Sequence, residues 1–187
     1  SCAADAPAML RECVRLAHSG GRVVVFVEPI ALYHTTDLGA GGDGGWTAPY
    51  LAPGDASSIA FGELGVHGDG TDLAIVTYGN GHFLSRQVEP AIRTSGVNLR
   101  IIDLRWLHPL PEQAILQAVA GCKSLLIVDE SRRSGSISEK LMTVLAEAGL
   151  ADRTSRITAE DCFIPLGPAA ELVLPSKDDI LAAALKA

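Results

Sequence analysis

The chain has 187 residues, of which 48% are hydrophobic and 20% charged. That balance supplies enough apolar surface to offset chain entropy and excludes wholesale disorder. Fifteen basic residues face 22 acidic ones, a net charge of −7, which argues against a nucleic-acid partner because such a partner requires a positive face. No unbroken apolar run approaches the roughly 20 residues of a membrane-spanning helix.

At this length the chain is one sizeable domain, or one domain with part of another attached. Cys2, Cys13, Cys122 and Cys162 form no C-x-x-C pair and are too few for a disulfide scaffold. We read them as small buried hydrophobes in a reduced, cytoplasmic setting. No signal or transit segment is recognisable. Because the sequence opens on Ser1 and enters an amphipathic segment almost at once, the true N-terminus is expected upstream.

Residues 5 to 18 have a helical pattern. Asp5 suits the cap, Pro7 the first turn, and Met9, Leu10, Cys13, Val14 and Ala17 fall on one stripe, with Gly20-Gly21 as the stop. Arg22 to Val27 is a run rich in β-branched residues and predicts a strand buried on both faces. Residues 35 to 70 then hold ten of the 19 glycines and keep no period of 2 or 3.6, as a long loop or linker would. The tract Leu38 to Trp46 is the part expected to be most flexible.

Beyond residue 70 a rhythm begins. Strands are predicted at Leu73–Tyr78, Leu99–Asp103, Ser124–Val128 and, more weakly, Thr154–Thr158. Between them lie helical patterns over His82–Arg93, with Pro90 expected to kink or shorten it, from Pro111 through Val119, and from Ile137 to Ala148. Ser176-Lys177-Asp178-Asp179 has the form of a capping box opening a last helix. Strand–helix alternation with apolar strands implies an α/β fold: a mostly parallel sheet covered by helices on both faces, a three-layer sandwich. Any site then lies at the carboxyl ends of the strands.

Three strand ends carry polar groups: Gly79-Asn80-Gly81-His82, then Asp103, Arg105 and His108, then Asp129, Glu130, Arg132 and Arg133. His82, Asp103, Arg105, Asp129, Glu130 and Arg132 are the candidate strand-end residues. A histidine beside two carboxylates has the groups for acid–base work. Equally, such an edge can pack against another domain, and we assign these six to an interface. Gly79-Asn80-Gly81 is suited to an anion at a helix start, but the third glycine of a dinucleotide fingerprint is replaced by Leu84, which leaves a tight turn as the simpler reading. The five histidines show no zinc-ligand spacing, there is no G-x-S-x-G elbow, and Ser134-Gly135-Ser136 is read as a loop entering a helix. Gly68-Asp69-Gly70 with Asn98 has the spacing of a thiamine diphosphate metal motif, yet both parts precede apolar strands instead of following them. They sit at the wrong edge for a ligand and are read as turns.

Taken in order, several segments resemble the beta chain of thiamine diphosphate-dependent 2-oxo acid dehydrogenases, or the beta part of their fused alpha/beta forms. Arg22 to Tyr33 resembles the last strand of the pyrimidine-binding domain. Asp72 to Gly79 resembles the opening strand of the transketolase C-terminal domain. Ile101-Ile102-Asp103-Leu104-Arg105 through Leu110, Leu126 to Gly135, and Asp161 to Leu166 with Leu172 to Pro175 are similar to its later segments. Ser134-Gly135-Ser136 departs from the paired glycines common in relatives.

The resemblance implies about five strands with one antiparallel edge strand. It implies residues 1–34 as the end of a pyrimidine-binding domain, 35–70 as a glycine-rich linker and 71–187 as the transketolase C-terminal domain. It also implies a parent enzyme of pyruvate or branched-chain type. That enzyme would use thiamine diphosphate and Mg²⁺ to decarboxylate a 2-oxo acid oxidatively and pass the acyl group to a lipoyl arm. None of the family's catalytic, cofactor or metal residues carries over to this chain; Glu28 and Tyr33 match the pattern as structural residues, and Arg105, Asp129 and Glu130 match positions near the dimer interface. The expectation is a C-terminal fragment that binds no cofactor itself, is inactive alone, and serves dimerisation and packing against the pyrimidine- and diphosphate-binding domains, with the dihydrolipoyl acyltransferase core as a further partner. The alternatives are a transketolase or deoxyxylulose-phosphate synthase fragment, or a stand-alone nucleotide-binding regulatory module.

Overall fold

A computed structural model describes residues 2–49 and 59–187. Its centre is a five-stranded sheet formed by β1 (Gly65–His67), β2 (Leu73–Thr77), β3 (Leu99–Asp103), β4 (Ser124–Arg132) and β5 (Thr154–Ala159), in the spatial order β1-β3-β2-β4-β5. β2, β3, β4 and β5 pair in parallel, and β1 lies antiparallel against β3 at one edge. Helices α1 (Asp5–Gly20), α2 (Gly79–Thr94), α3 (Glu112–Val119), α4 (Ile137–Glu147) and α5 (Lys177–Ala184) complete the chain.

The strand sequences explain the layers. Alternate residues point to opposite faces, and β2, β3 and β4 carry apolar residues at both parities. Ala74, Val76, Ile102, Leu125 and Ile127 pack under α3 and α4 through Ile115, Val119, Leu141 and Leu145. Leu73, Ile75, Leu99, Ile101, Leu126 and Val128 pack under α2 and α5 through Val88, Ile92 and Ile180. The result is the expected three-layer α/β sandwich with one antiparallel edge strand. The capping box at Ser176 forms as read: its Oγ accepts from Asp179 N while the Asp179 carboxylate accepts from Ser176 N. Among the described residues no helix is long and apolar enough to cross a membrane.

Several expectations are corrected. Residues 22–29 form no strand; Val23, Val25 and Val27 are 96%, 81% and 71% exposed. A β-branched run is extended by propensity, but it becomes a strand only when another strand satisfies its backbone. α1 buries Ala8, Glu12 and Cys13, while Leu10 and Val14 of the predicted stripe are exposed. Asp5 does not cap it; the N-cap is Ala4, without a side-chain bond. α2 starts at Gly79, not His82, and Pro90 does not shorten it. β1 lies within the tract read as a loop; three residues, Gly-Val-His, show no periodicity. The glycine tract at 38–46 is cross-braced: Asp37 accepts from Gly42 N and Gly44 N, and Asp43 from Leu38, Gly39 and Gly45 N. Cys13 and Cys122 are buried as read, whereas Cys162 is exposed.

The turn at Gly68-Asp69-Gly70 is a packing device. A Cβ on Gly70 would lie 2.3 Å from the Asn98 carbonyl carbon and 2.4 Å from Leu99 N, all rigid backbone at the start of β3. Gly70→Ala is therefore expected to lower stability by about 2–3 kcal/mol, as overpacking does. The urea midpoint measures this, and an unchanged midpoint contradicts it.

Candidate functional site

The chain leaves β2 toward β3 on one side, then crosses back to place β4 on the other side of β2. Between β2 and β4 the strand order reverses, and the loops after them diverge. In open α/β sheets this is where a ligand crevice forms. The registers set Thr77 beside Asp103 and Val128, so the three polar strand ends emerge together at one edge.

At the reversal point the polar groups are spent on one another. The Tyr78 hydroxyl donates to Asp129 Oδ1 at 2.6 Å, Ser131 N donates to the same oxygen at 2.8 Å, and Ser138 N, in the first turn of α4, donates to Asp129 Oδ2 at 2.9 Å. Asn80 Nδ2 donates to Glu130 Oε1 at 2.5 Å. Burial, and then the neighbouring Asp129 carboxylate, raise the Tyr78 phenol above its ordinary range. Burial also raises Glu130, opposed by the Asn80 bond and helped by Asp129. Gly81 permits the close approach of α2: a Cβ there would meet Thr77 Oγ1 at 2.5 Å and Val128 Cγ1 at 3.3 Å. Gly79-Asn80-Gly81 is thus the first turn of α2 and not a separate tight turn, with the glycine conformation needed at Gly79, whose φ is +56°.

His82 faces the other way, toward β3. It is buried, with Nδ1 3.6 Å from Asp103 Oδ2. That separation is too long for a hydrogen bond, and Nδ1 has no hydrogen-bond partner. Burial is the main cause that lowers the imidazole to about 4, against the raising effect of Asp103. Trp46 packs against the imidazole, its ring 5.5 Å from that of His82 and 4.9 Å from that of Phe83.

Arg105 turns away from both groups. Its Nε and Nη2 make a bidentate pair with Asp5 of α1 at 2.8 and 2.9 Å, and its Nη1 reaches Glu63 Oε1 and the Leu64 carbonyl, both at 3.1 Å. It thereby fastens α1 and the approach to β1 onto the end of β3. Arg132 is separate again: it is exposed, and its Nε donates to the Ser134 carbonyl at 3.2 Å. The six candidates thus form three local groups on one edge, plus Arg132 beyond them. Asp5, Tyr78, Ser138 and Trp46 belong to these groups but were not singled out as site residues. A lone Trp closing a glycine tract, in a chain with 5% aromatic residues, was the available signal.

A cavity of about 1180 Å³ opens beside this edge, between Tyr78, Asn80 and Glu130 on one side and Met9, Val24 and Phe26 on the other. Its walls are chiefly apolar, with α1 and the unpaired arm 22–29 as the outer wall.

The transketolase C-terminal domain family matches residues 62–180, and the chain belongs to that family. It is 26% identical over 138 residues to the 2-oxoisovalerate dehydrogenase subunit beta of Bacillus subtilis, covering 72% of this chain and 42% of that protein. It is 26% identical over 137 residues to the Bacillus subtilis pyruvate dehydrogenase E1 component subunit beta, with the same coverage. It is 30% identical over 138 residues to the acetoin:2,6-dichlorophenolindophenol oxidoreductase subunit beta of Cupriavidus necator, covering 72% and 41%. The match thus spans less than half the length of these curated relatives. Among solved structures, a split-gene transketolase described as an inactive beta4 tetramer superposes with a TM-score of 0.63 at 20% identity, covering 74% of this chain and 46% of that one, a likeness of fold. The 2-oxo acid dehydrogenase beta-type resemblance and the fold expected from it hold.

The Mg²⁺ implied for the parent enzyme finds no ligand set among the described residues. Among them no group of three or more His, Cys, Asp or Glu side chains is placed to hold a metal ion. The Gly68-Asp69-Gly70 turn is closed against Asn98, whose backbone N donates to Asp72.

Arg105→Ala removes the guanidinium that bonds both Asp5 oxygens, leaving a carboxylate that is 13% exposed without that cation. Breaking one side of such a buried pair costs about 3–5 kcal/mol locally. α1 is expected to become the first site of cleavage in limited proteolysis while the sheet stays intact; cleavage at the unaltered rate contradicts the clamp.

Proposed function

We propose that this chain is the C-terminal part of a thiamine diphosphate-dependent 2-oxo acid dehydrogenase of the beta type, and that its work is assembly: dimerisation and packing against the rest of the enzyme. The parent decarboxylates a 2-oxo acid and passes the acyl group to a lipoyl arm. This part carries no cofactor and contributes no catalytic residue. Residues 1–34 end the pyrimidine-binding domain, 35–70 link, and 71–187 form the C-terminal domain. The proposed partners are the pyrimidine- and diphosphate-binding domains, a second copy, and the dihydrolipoyl acyltransferase core, in the cytoplasm.

One observation carries the reading. The polar groups at the reversal point are satisfied by the Tyr78–Asp129 and Asn80–Glu130 bonds, while the arm across the cavity leaves Val23, Val25 and Val27 exposed. Polar groups are satisfied internally and apolar ones are left outside, the pattern of a surface built to meet protein. The paired Asp129 and Glu130 and the clamped Arg105 shape that surface, and His82, Asp103 and Arg132 border it.

Titration calorimetry of the chain with thiamine diphosphate and Mg²⁺ is expected to show no saturable heat; micromolar binding overturns the reading. Sedimentation velocity is expected to show self-association that Val25→Asp reduces. A monomer indifferent to that substitution overturns the packing role.

A further inference from the structure

The tract from Thr36 to Thr47 is a strap with its own internal bracing and, among the described residues, few bonds to the rest of the molecule. Its carboxylates, Asp37 and Asp43, are turned inward onto its own backbone amides. The Trp46 amide closes the strap by donating to the Thr36 carbonyl at 2.9 Å. Toward α2 it offers the Trp46 ring, set against His82 and Phe83, and the Leu38 carbonyl, which accepts from Gln87 Nε2 at 2.9 Å. Beneath it lies a histidine whose Nδ1 has no hydrogen-bond partner and whose nearest carboxylate is 3.6 Å away.

We propose that the Trp46 strap is a releasable cover over the His82–Asp103 pair, and that taking up a proton at His82 lifts it. This goes beyond the assembly reading and does not rest on it. While the strap is down, water is excluded from the imidazole, and an imidazolium would be held there without a properly formed hydrogen bond. With the strap up, the ring is solvated. The charged form therefore prefers the open state.

The surroundings support that direction. Asp103 on β3 favours the proton, whereas the positive charge of the amino terminus, Arg86 on the histidine's own helix and His67 on β1 oppose it. The strap itself adds the neutral indole. Burial outweighs Asp103 and holds the covered ring at about 4, below its ordinary 6.5. Strap closure is thus complete above pH 6.5 and weakens as pH falls from there toward 4. Acid release of the strap through Asp43 is a separate event, because the Gly45, Leu38 and Gly39 amides hold its carboxyl below the usual carboxylate range.

Exchange of the Trp46 indole proton with solvent in the full chain reads the opening equilibrium, because that ring leaves His82 and Phe83 only when the strap lifts. After correction for intrinsic rates, exchange at pH 5 relative to pH 7.5 is expected to be about 30-fold faster, the factor set by values of 6.5 and about 4. In His82→Gln this acceleration is expected to vanish. Absence of acceleration in the unaltered chain, or its persistence in His82→Gln, overturns the proposal. Should that variant not fold, NMR titration of His82 decides instead. The ring is expected to titrate near 4 in the unaltered chain and near its ordinary 6.5 in Trp46→Ala; a midpoint that Trp46→Ala does not move overturns it.

Discussion

β2, β3 and β4 are buried on both faces, and their registers align Thr77 with Asp103 and Val128. Everything at the candidate site follows from that constraint. Strands with apolar side chains at both parities have no polar outlet along their length, so polar residues emerge where the strands stop. Parallel pairing makes the three strands stop at one edge. Asp103, Asp129, Glu130 and His82 are therefore crowded by topology, and crowded buried groups must satisfy one another or remain costly.

The edge meets that demand unevenly. Asp129 is fully engaged, accepting from Tyr78, Ser131 and Ser138, and in doing so it holds the start of α4. Arg105 is engaged by Asp5, Glu63 and a carbonyl, and ties the N-terminal helix to the sheet. His82 is the exception: its Nδ1 makes no hydrogen bond, stands 3.6 Å from the Asp103 carboxylate and lies beside a tryptophan. An interface surface needs rigid, satisfied groups. A switch needs one group left in two minds. The same edge holds both kinds, separated by the width of β2.

Much of the sheet domain was legible in the primary structure. Continuous runs such as Leu73–Thr77 and Leu99–Asp103 have a single stable use, a strand covered on both sides, and Ser176 with Asp179 carries its cap locally. The strand-end residues were legible for the same reason. Their partners were not. Arg105 meets Asp5 across 100 positions, and Asp5 looked like a helix cap because capping is the local role its sequence position suggests. Arg22–Val27 was misread because extended propensity is local whereas backbone pairing is not. β1 was missed because three residues carry no period, and the bracing by Asp37 and Asp43 was missed because glycine content reports freedom in the unfolded chain, not the hydrogen bonds that remove it.

The sequence alone determined the alternation of apolar strands and amphipathic helices, and with it the three layers, the parallel sheet and the edge on which polar residues collect. These follow from side-chain periodicity and burial, which each segment carries within itself. Only the tertiary structure decided which of those residues pair, which one is left under a cover, and which apolar run is left outside. Such outcomes depend on distances between segments far apart in the chain, and no local pattern encodes a distance.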